Sequence, residues 1–149
     1  MSFSIDALVL LHASDNASQW NRAARRFLEH ASAGPEPVVL AWPVLMKYLR
    51  ISTHSRVFSR PLTSKQAESN VDALLSLAHV RAVGEGDGFW DRYRSTVSSF
   101  PTRGSDVADA HFVALLAQHG VRTLYTRDAD FSRFPDVRVR DPYAAHWSD

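Results

Sequence analysis

Residues 105–131 read SDVADAHFVALLAQHGVRTLYTRDADF, and this stretch decides the fold class. Counting three, four and seven residues on from Asp109 reaches Phe112, Val113 and Leu116, a spacing that lines one side of a helix with apolar groups. Ser105 stands where an N-cap is expected, and Gly120 follows Gln118 as a C-terminal glycine. Arg122–Thr126 then reads as a short strand, and acids follow it at Asp128 and Asp130. Helix, glycine, strand and acidic turn in that order make one unit of an alternating α/β chain.

Working outward, the same alternation recurs. Phe3–Asp6 reads as a strand, and the apolar stretch to His12 leads into a helix for which Ser14 or Asp15 is the candidate cap. That helix has Trp20, Ala23, Ala24, Phe27 and Leu28 on one face. Pro37–Ala41 reads as a buried strand, and Pro43 suits the first turn of a helix through Leu45, Tyr48 and Leu49. Thr63 or Ser64 caps a helix with the stripe Ala67, Val71, Leu74, Leu75. Val80–Val83 is a strand, residues 88–98 a helix, and Val137–Val139 a last strand. Repeated alternation predicts a parallel sheet between helical layers. Glycine- and proline-containing stretches are short, so residues 1–149 are expected to form a single domain.

Composition narrows the chemistry. The chain has 149 residues, 45% of them hydrophobic and 22% charged, and no cysteine. Disulfides, thiol nucleophiles and zinc–thiolate sites are thereby excluded. The net charge of +1 argues against a basic whole-chain nucleic-acid binder but permits a local patch. No apolar run approaches the roughly 20 residues of a membrane span, and a cytoplasmic location without membrane contact is expected. Fifteen of the basic residues are Arg and only Lys47 and Lys65 are Lys, a skew that suits phosphate contacts or simply reflects codon bias.

In a parallel α/β sheet, ligands bind at the carboxyl ends of the strands. Asp6 closes the first strand, and Asp128 and Asp130 follow the Arg122–Thr126 strand. Asp109 shares a face with apolar residues, where an unpaired carboxylate is costly. Asp106, one turn earlier, is explained equally by the helix dipole. Asp6 also reads as a turn former, and 126–131 as an ordinary Asp-rich turn. Three separated acids at strand ends nevertheless suggest a carboxylate cluster for Mg²⁺ or Mn²⁺, which would assist phosphodiester cleavage.

Three motifs now stand in order: Ser4-Ile5-Asp6, Val107-Ala108-Asp109-Ala110-His111, and Thr126-Arg127-Asp128-Ala129-Asp130-Phe131-Ser132-Arg133-Phe134-Pro135. Together with Leu49–Phe58 and Pro61-Leu62, they resemble the PIN-domain ribonucleases, specifically the VapC-type toxins of toxin–antitoxin pairs. The resemblance implies a three-layer α/β/α domain with a central parallel sheet and an acidic, Mg²⁺- or Mn²⁺-binding pocket that cuts RNA. It implies a cognate antitoxin that blocks the pocket, and a homodimer. Carried over position by position, Asp6, Asp109 and Asp128 are the metal-binding and catalytic acids, Asp130 an additional catalytic acid, and Thr126 a hydrogen-bonding partner within the site.

The chain departs from the pattern twice. Leu8 stands where the family has a small polar residue, and Lys47 where it has a Glu. Lys47 weakens metal binding if it faces the acids; otherwise it contacts substrate phosphate, pairs with Asp6 or is simply solvated. With Lys47, Arg56 and Arg127 are the candidate substrate contacts; His54 and Arg60 beside Arg56, and Arg133 flanking the last acids with Arg127, also suit phosphate binding or read as scattered surface cations. Those two departures also leave room for a catalytically weakened PIN-like module that binds RNA or antitoxin. A receiver-like phosphoacceptor domain has less support, because no second acid adjoins Asp6. His12 and His111 read as hydrogen-bonded or surface histidines. Trp20, Trp42, Trp90 and Phe89 read as core or dimer anchors rather than base-stacking groups.

Overall fold

The computed structural model describes residues 1–144; the last five residues of the expected single domain, 145–149, lie outside the described residues. Among the described residues, five strands run parallel in one sheet: β1 (Phe3–Ile5), β2 (Val38–Ala41), β3 (Val80–Val83), β4 (Thr123–Tyr125) and β5 (Arg138–Arg140). Their spatial order is β3-β2-β1-β4-β5. Between β1 and β2 run α1 (Ala7–Ser14) and α2 (Asn21–Ala33), and between β2 and β3 run α3 (Trp42–Ser52) and α4 (Ser64–Leu75). Between β3 and β4 run α5 (Phe89–Thr96) and α6 (Asp106–Gln118), and a 3₁₀ turn, Ala129–Arg133, precedes β5.

From β1 the chain moves outward through β2 to β3, then returns past β1 to β4 and β5. With right-handed crossovers, this reversal puts the α1–α4 group and the α5–α6 pair on opposite faces of the sheet. The helical contacts follow that division: α1 packs on α2 and α3, α3 on α4, and α5 on α6. The expected three-layer α/β/α architecture is the one observed. The same reversal leaves a crevice at the carboxyl ends of β1 and β4.

Burial explains the layers. All of β1 and β2 is buried, as are Leu124 and Tyr125 of β4. A sheet covered on both faces needs apolar side chains on both, hence runs such as VVLA at 38–41. Helix α6 is buried from Phe112 through Leu116, so that part is wrapped by protein on nearly every side, while Val107 and Ala108 in its first turn are exposed. Thr63 opens α4 with a reciprocal capping box: its Oγ1 accepts from the Gln66 amide at 3.1 Å, and Gln66 Oε1 accepts from the Thr63 amide at 2.9 Å. Gly120 follows the C-cap His119 with φ +72°, a left-handed conformation that favours glycine.

Some local expectations are corrected. The apolar stretch before His12 is itself a helix, α1; Ser14 is its last residue and Asp15 its C-cap, so neither opens the next helix. Helix α2 begins after Trp20 without a side-chain cap bond. Ser105 precedes α6 but accepts no capping bond, because its own backbone is already helical (φ −63°, ψ −20°). The last strand lies one residue later than 137–139, since the Arg138 amide bonds to the Arg122 carbonyl and sets the register there.

Candidate active site

Asp6 follows β1 directly and its amide donates to the Tyr125 carbonyl of β4 at 3.1 Å. That bond ties the carboxyl ends of the two central strands together. Asp6 is 6% exposed, and Thr126, its hydrogen-bond partner, is 2% exposed. Thr126 Oγ1 donates to Asp6 Oδ2 at 2.7 Å and accepts from the Asp128 amide at 3.0 Å. One hydroxyl therefore orients a buried carboxylate and pins the turn that carries the next acid. Asp128 Oδ1 in turn accepts from the Asp130 amide at 3.0 Å, which starts the 3₁₀ turn.

Asp109 enters from α6. Its pKa is raised, first by burial and then by the negative charge of Asp128, with a smaller contribution from Asp6; Arg133 and Lys47 pull it the other way. These influences place Asp6, Asp109 and Asp128 in one electrostatic neighbourhood, with two cations at its margin. Arg133 Nη2 donates to Asp109 Oδ2 at 3.2 Å, and its Nη1 lies 3.0 Å from Asp106 Oδ1. Lys47 is exposed on the second turn of α3, the helix that begins at the carboxyl end of β2. Leu8 is 41% exposed, on the first turn of α1 beside Asp6.

The other sequence candidates lie further out. Asp130 is exposed, and its tie to the site is its backbone amide. Arg127 stands over the Trp20 ring at 4.1 Å and 3.5 Å from Asp141, so its guanidinium braces a surface cluster. Tyr143 stacks on Trp20 with ring centres 5.5 Å apart, and its hydroxyl hydrogen-bonds His12 Nδ1 at 2.7 Å. Burial, with help from Arg127, lowers the His12 pKa, and burial raises that of Tyr143. His111 pairs with Glu85. Arg56 follows the C-terminus of α3, a helix of 11 residues and hence about 16 Å long.

Two features had no clear sequence signal. The Arg133 fork on Asp106 and Asp109 joins residues 24 or more apart, and no local pattern announces it. A groove of about 750 Å³ lies between the α1–α2 and α3–α4 pairs, lined by Leu10, Leu28, Leu74 and Leu77 with Arg25 and Glu29. Tyr48 stands in it, its hydroxyl bonded to Ser14 Oγ at 2.7 Å and to Asn70 Nδ2 at 2.9 Å. The groove is distinct from the carboxylates.

Carboxylate oxygens are the hard donors that Mg²⁺ and Mn²⁺ prefer. In donor chemistry Asp6, Asp109 and Asp128 fit such an ion. In number they fall short as folded: among the described residues, no three His, Asp or Glu side chains form a group able to hold a metal. Asp109 instead has Arg133 as its cation.

A parallel sheet in the order 3-2-1-4-5 with acids at the β1–β4 crevice matches a known class. The PIN domain family model matches residues 4–137, and the chain belongs to that family. Among curated relatives, Ribonuclease VapC48 of Mycobacterium tuberculosis is 42% identical over 144 residues, covering 97% of this chain and 99% of the relative. Ribonuclease VapC43 of the same species is 31% identical over 138 residues, covering 93% of each. Solved structures agree on the fold. VapC20 of M. tuberculosis, described as a sarcin–ricin loop cleaving toxin, superposes with a TM-score of 0.64 at 17% identity, covering 91% of this chain and 98% of that one. VapBC2 of Rickettsia felis, solved on a DNA fragment from its promoter, gives 0.66 at 14% identity, covering 95% and 98%.

Proposed function

We propose that this chain is a Mg²⁺- or Mn²⁺-dependent endoribonuclease, the toxin of a toxin–antitoxin pair, acting on RNA in the cytoplasm. The observation that carries the reading is 42% identity to a VapC ribonuclease over nearly the whole chain, with support from Asp6 and Asp128 tied together by Thr126 at the ends of β1 and β4. When bound, a divalent cation supplies charge neutralisation and an acidified water for phosphodiester hydrolysis. Asp6, Asp109 and Asp128 are the residues that would hold it, and Asp130 is assigned as an accessory acid. The chain's own contribution is orientation: Thr126 fixes the Asp6 carboxylate and the Asp128 turn through two hydrogen bonds. Lys47, exposed on α3, is assigned to phosphate, with Arg56 and Arg127 as outer RNA contacts.

The partner in this reading is a cognate antitoxin. Its apolar segment is assigned to the groove around Tyr48, whose leucines are flanked by one cation, Arg25, and one anion, Glu29. A homodimer belongs to the same reading; exposed Trp42 and Met46, one turn apart on α3, offer apolar surface for it. Lys47 and Leu8 favour one alternative, a weakened module that binds RNA or antitoxin without efficient cleavage. Incubating the purified protein with structured RNA and Mn²⁺ separates the two. Cleavage that is abolished by EDTA and reduced about 100-fold or more in Asp109→Asn supports the enzyme, a loss on the scale of one key electrostatic group. Cleavage undiminished in Asp109→Asn refutes the assignment, and RNA binding without cleavage establishes the module.

A further inference from the structure

Arg133 ends the 3₁₀ turn and lays a forked guanidinium across two carboxylates of α6. Nη1 lies 3.0 Å from Asp106 Oδ1 and Nη2 lies 3.2 Å from Asp109 Oδ2. Its Cζ is also 5.3 Å from the centre of the Phe100 ring and 5.1 Å from that of Phe134. Those rings meet edge to face at 5.1 Å, and Phe134 is 1% exposed, so they form a fixed support. The guanidinium is therefore anchored by Asp106 and two rings independently of Asp109. It is still about one-third exposed (32%), so the side chain keeps contact with solvent.

Such an anchor has a consequence for the reaction assigned above, on which this inference rests. A guanidinium and a divalent cation on one carboxylate repel each other. Whichever engages Asp109 loosens the other. When Asp109 is drawn away, Nη2 loses its acceptor, while Nη1 and the rings keep the side chain in place. A guanidinium edge with free donors beside an RNA-cleaving centre matches a phosphate oxygen in charge and geometry. We propose that Arg133 is both a built-in competitor for Asp109 and a phosphate-positioning residue. It holds Asp109 in the cation-free protein and turns its freed edge to the RNA backbone when that carboxylate engages a cation.

The test uses the full chain, Arg133→Gln, which removes the charge, and Arg133→Lys, which keeps the charge but not the fork. Circular dichroism first verifies that each variant is folded. In calorimetric titration with Mn²⁺, Arg133→Gln binds about tenfold more tightly than wild type, while Arg133→Lys stays close to wild type. In fluorescence anisotropy with a labelled RNA hairpin at saturating Ca²⁺, both variants bind RNA more weakly, Arg133→Gln by about tenfold. Opposite signs for metal and RNA are the signature, because a merely structural Arg133 would weaken both. Equal or weaker Mn²⁺ binding by a folded Arg133→Gln overturns the competitor role and leaves the metal-dependent reading standing. Unchanged RNA affinity overturns the positioning role. If Arg133→Gln does not fold, RNA binding by Arg133→Lys equal to that of wild type overturns the positioning role on its own. If neither wild type nor any variant binds Mn²⁺, the metal-dependent reading fails and this proposal fails with it.

Discussion

Replacing Thr126 by Val keeps the shape and the β-branch but deletes the hydroxyl that serves two acids. In the wild type that hydroxyl donates to Asp6 Oδ2 at 2.7 Å, with both side chains almost wholly buried. Val leaves a buried carboxylate short of one charge-assisted hydrogen bond, at a cost of about 1.5–3 kcal/mol. The Asp128 amide also loses its acceptor, but Asp128 is only half-buried and water replaces the hydroxyl there at small cost. A net loss of about 2 kcal/mol lowers Tm by roughly 6 °C in a domain of this size. Differential scanning calorimetry on wild type, Thr126→Val, Asp6→Asn and the double variant checks it at pH 7. In the Asp6→Asn background the bond is neutral and weaker, so Thr126→Val costs about 1 kcal/mol less there. A Thr126→Val protein within about 0.5 kcal/mol of wild type refutes the reasoning, as does an equal cost in both backgrounds.

Two further predictions rest on local geometry. The raised Asp109 pKa means that the folded protein holds that proton more tightly than the unfolded chain, so the ionised carboxylate opposes folding above the raised pKa. Asp109→Asn is therefore more stable than wild type to urea at pH 8, and this advantage shrinks as the pH falls through the carboxylate range; an advantage that grows on acidification refutes it. Thr63→Ala removes half of the α4 capping box and costs about 1 kcal/mol, read as a Tm about 3 °C lower; an unchanged Tm refutes the cap.

The sheet and most helices were legible because their patterns are local. Val38–Ala41 is apolar at every position, as a strand covered on both faces requires, and Thr63 with Gln66 carries the spacing of a capping box. Helix α1 was missed because ALVLLHAS is apolar around most of its circumference, so its period marks no face. Asp109 was legible as a carboxylate on an apolar stripe. Arg133 was not: its partners lie across the fold, and a basic residue beside acids in sequence reads equally well as solvated. The pairing of Trp20 with Tyr143 was hidden by its long sequence separation.

The bond from Thr126 to Asp6 spans 120 residues, and it sits where β1 meets β4 at the centre of the sheet. Strand β1 is made before the other strands, but its neighbour on that side, β4, follows only after β2 and β3 and the six helices between. Domains gain long-range pairings only after the intervening chain exists, and such pairings are the slow ones to form. A nascent chain can pair β2 with β1 and β3 with β2 while still lacking β4, Thr126 and Asp128. Its carboxylates are then scattered, and no fragment ending before Asp128 has the complete site. The topology thus delays any activity of this site until the chain through Asp128 has been made.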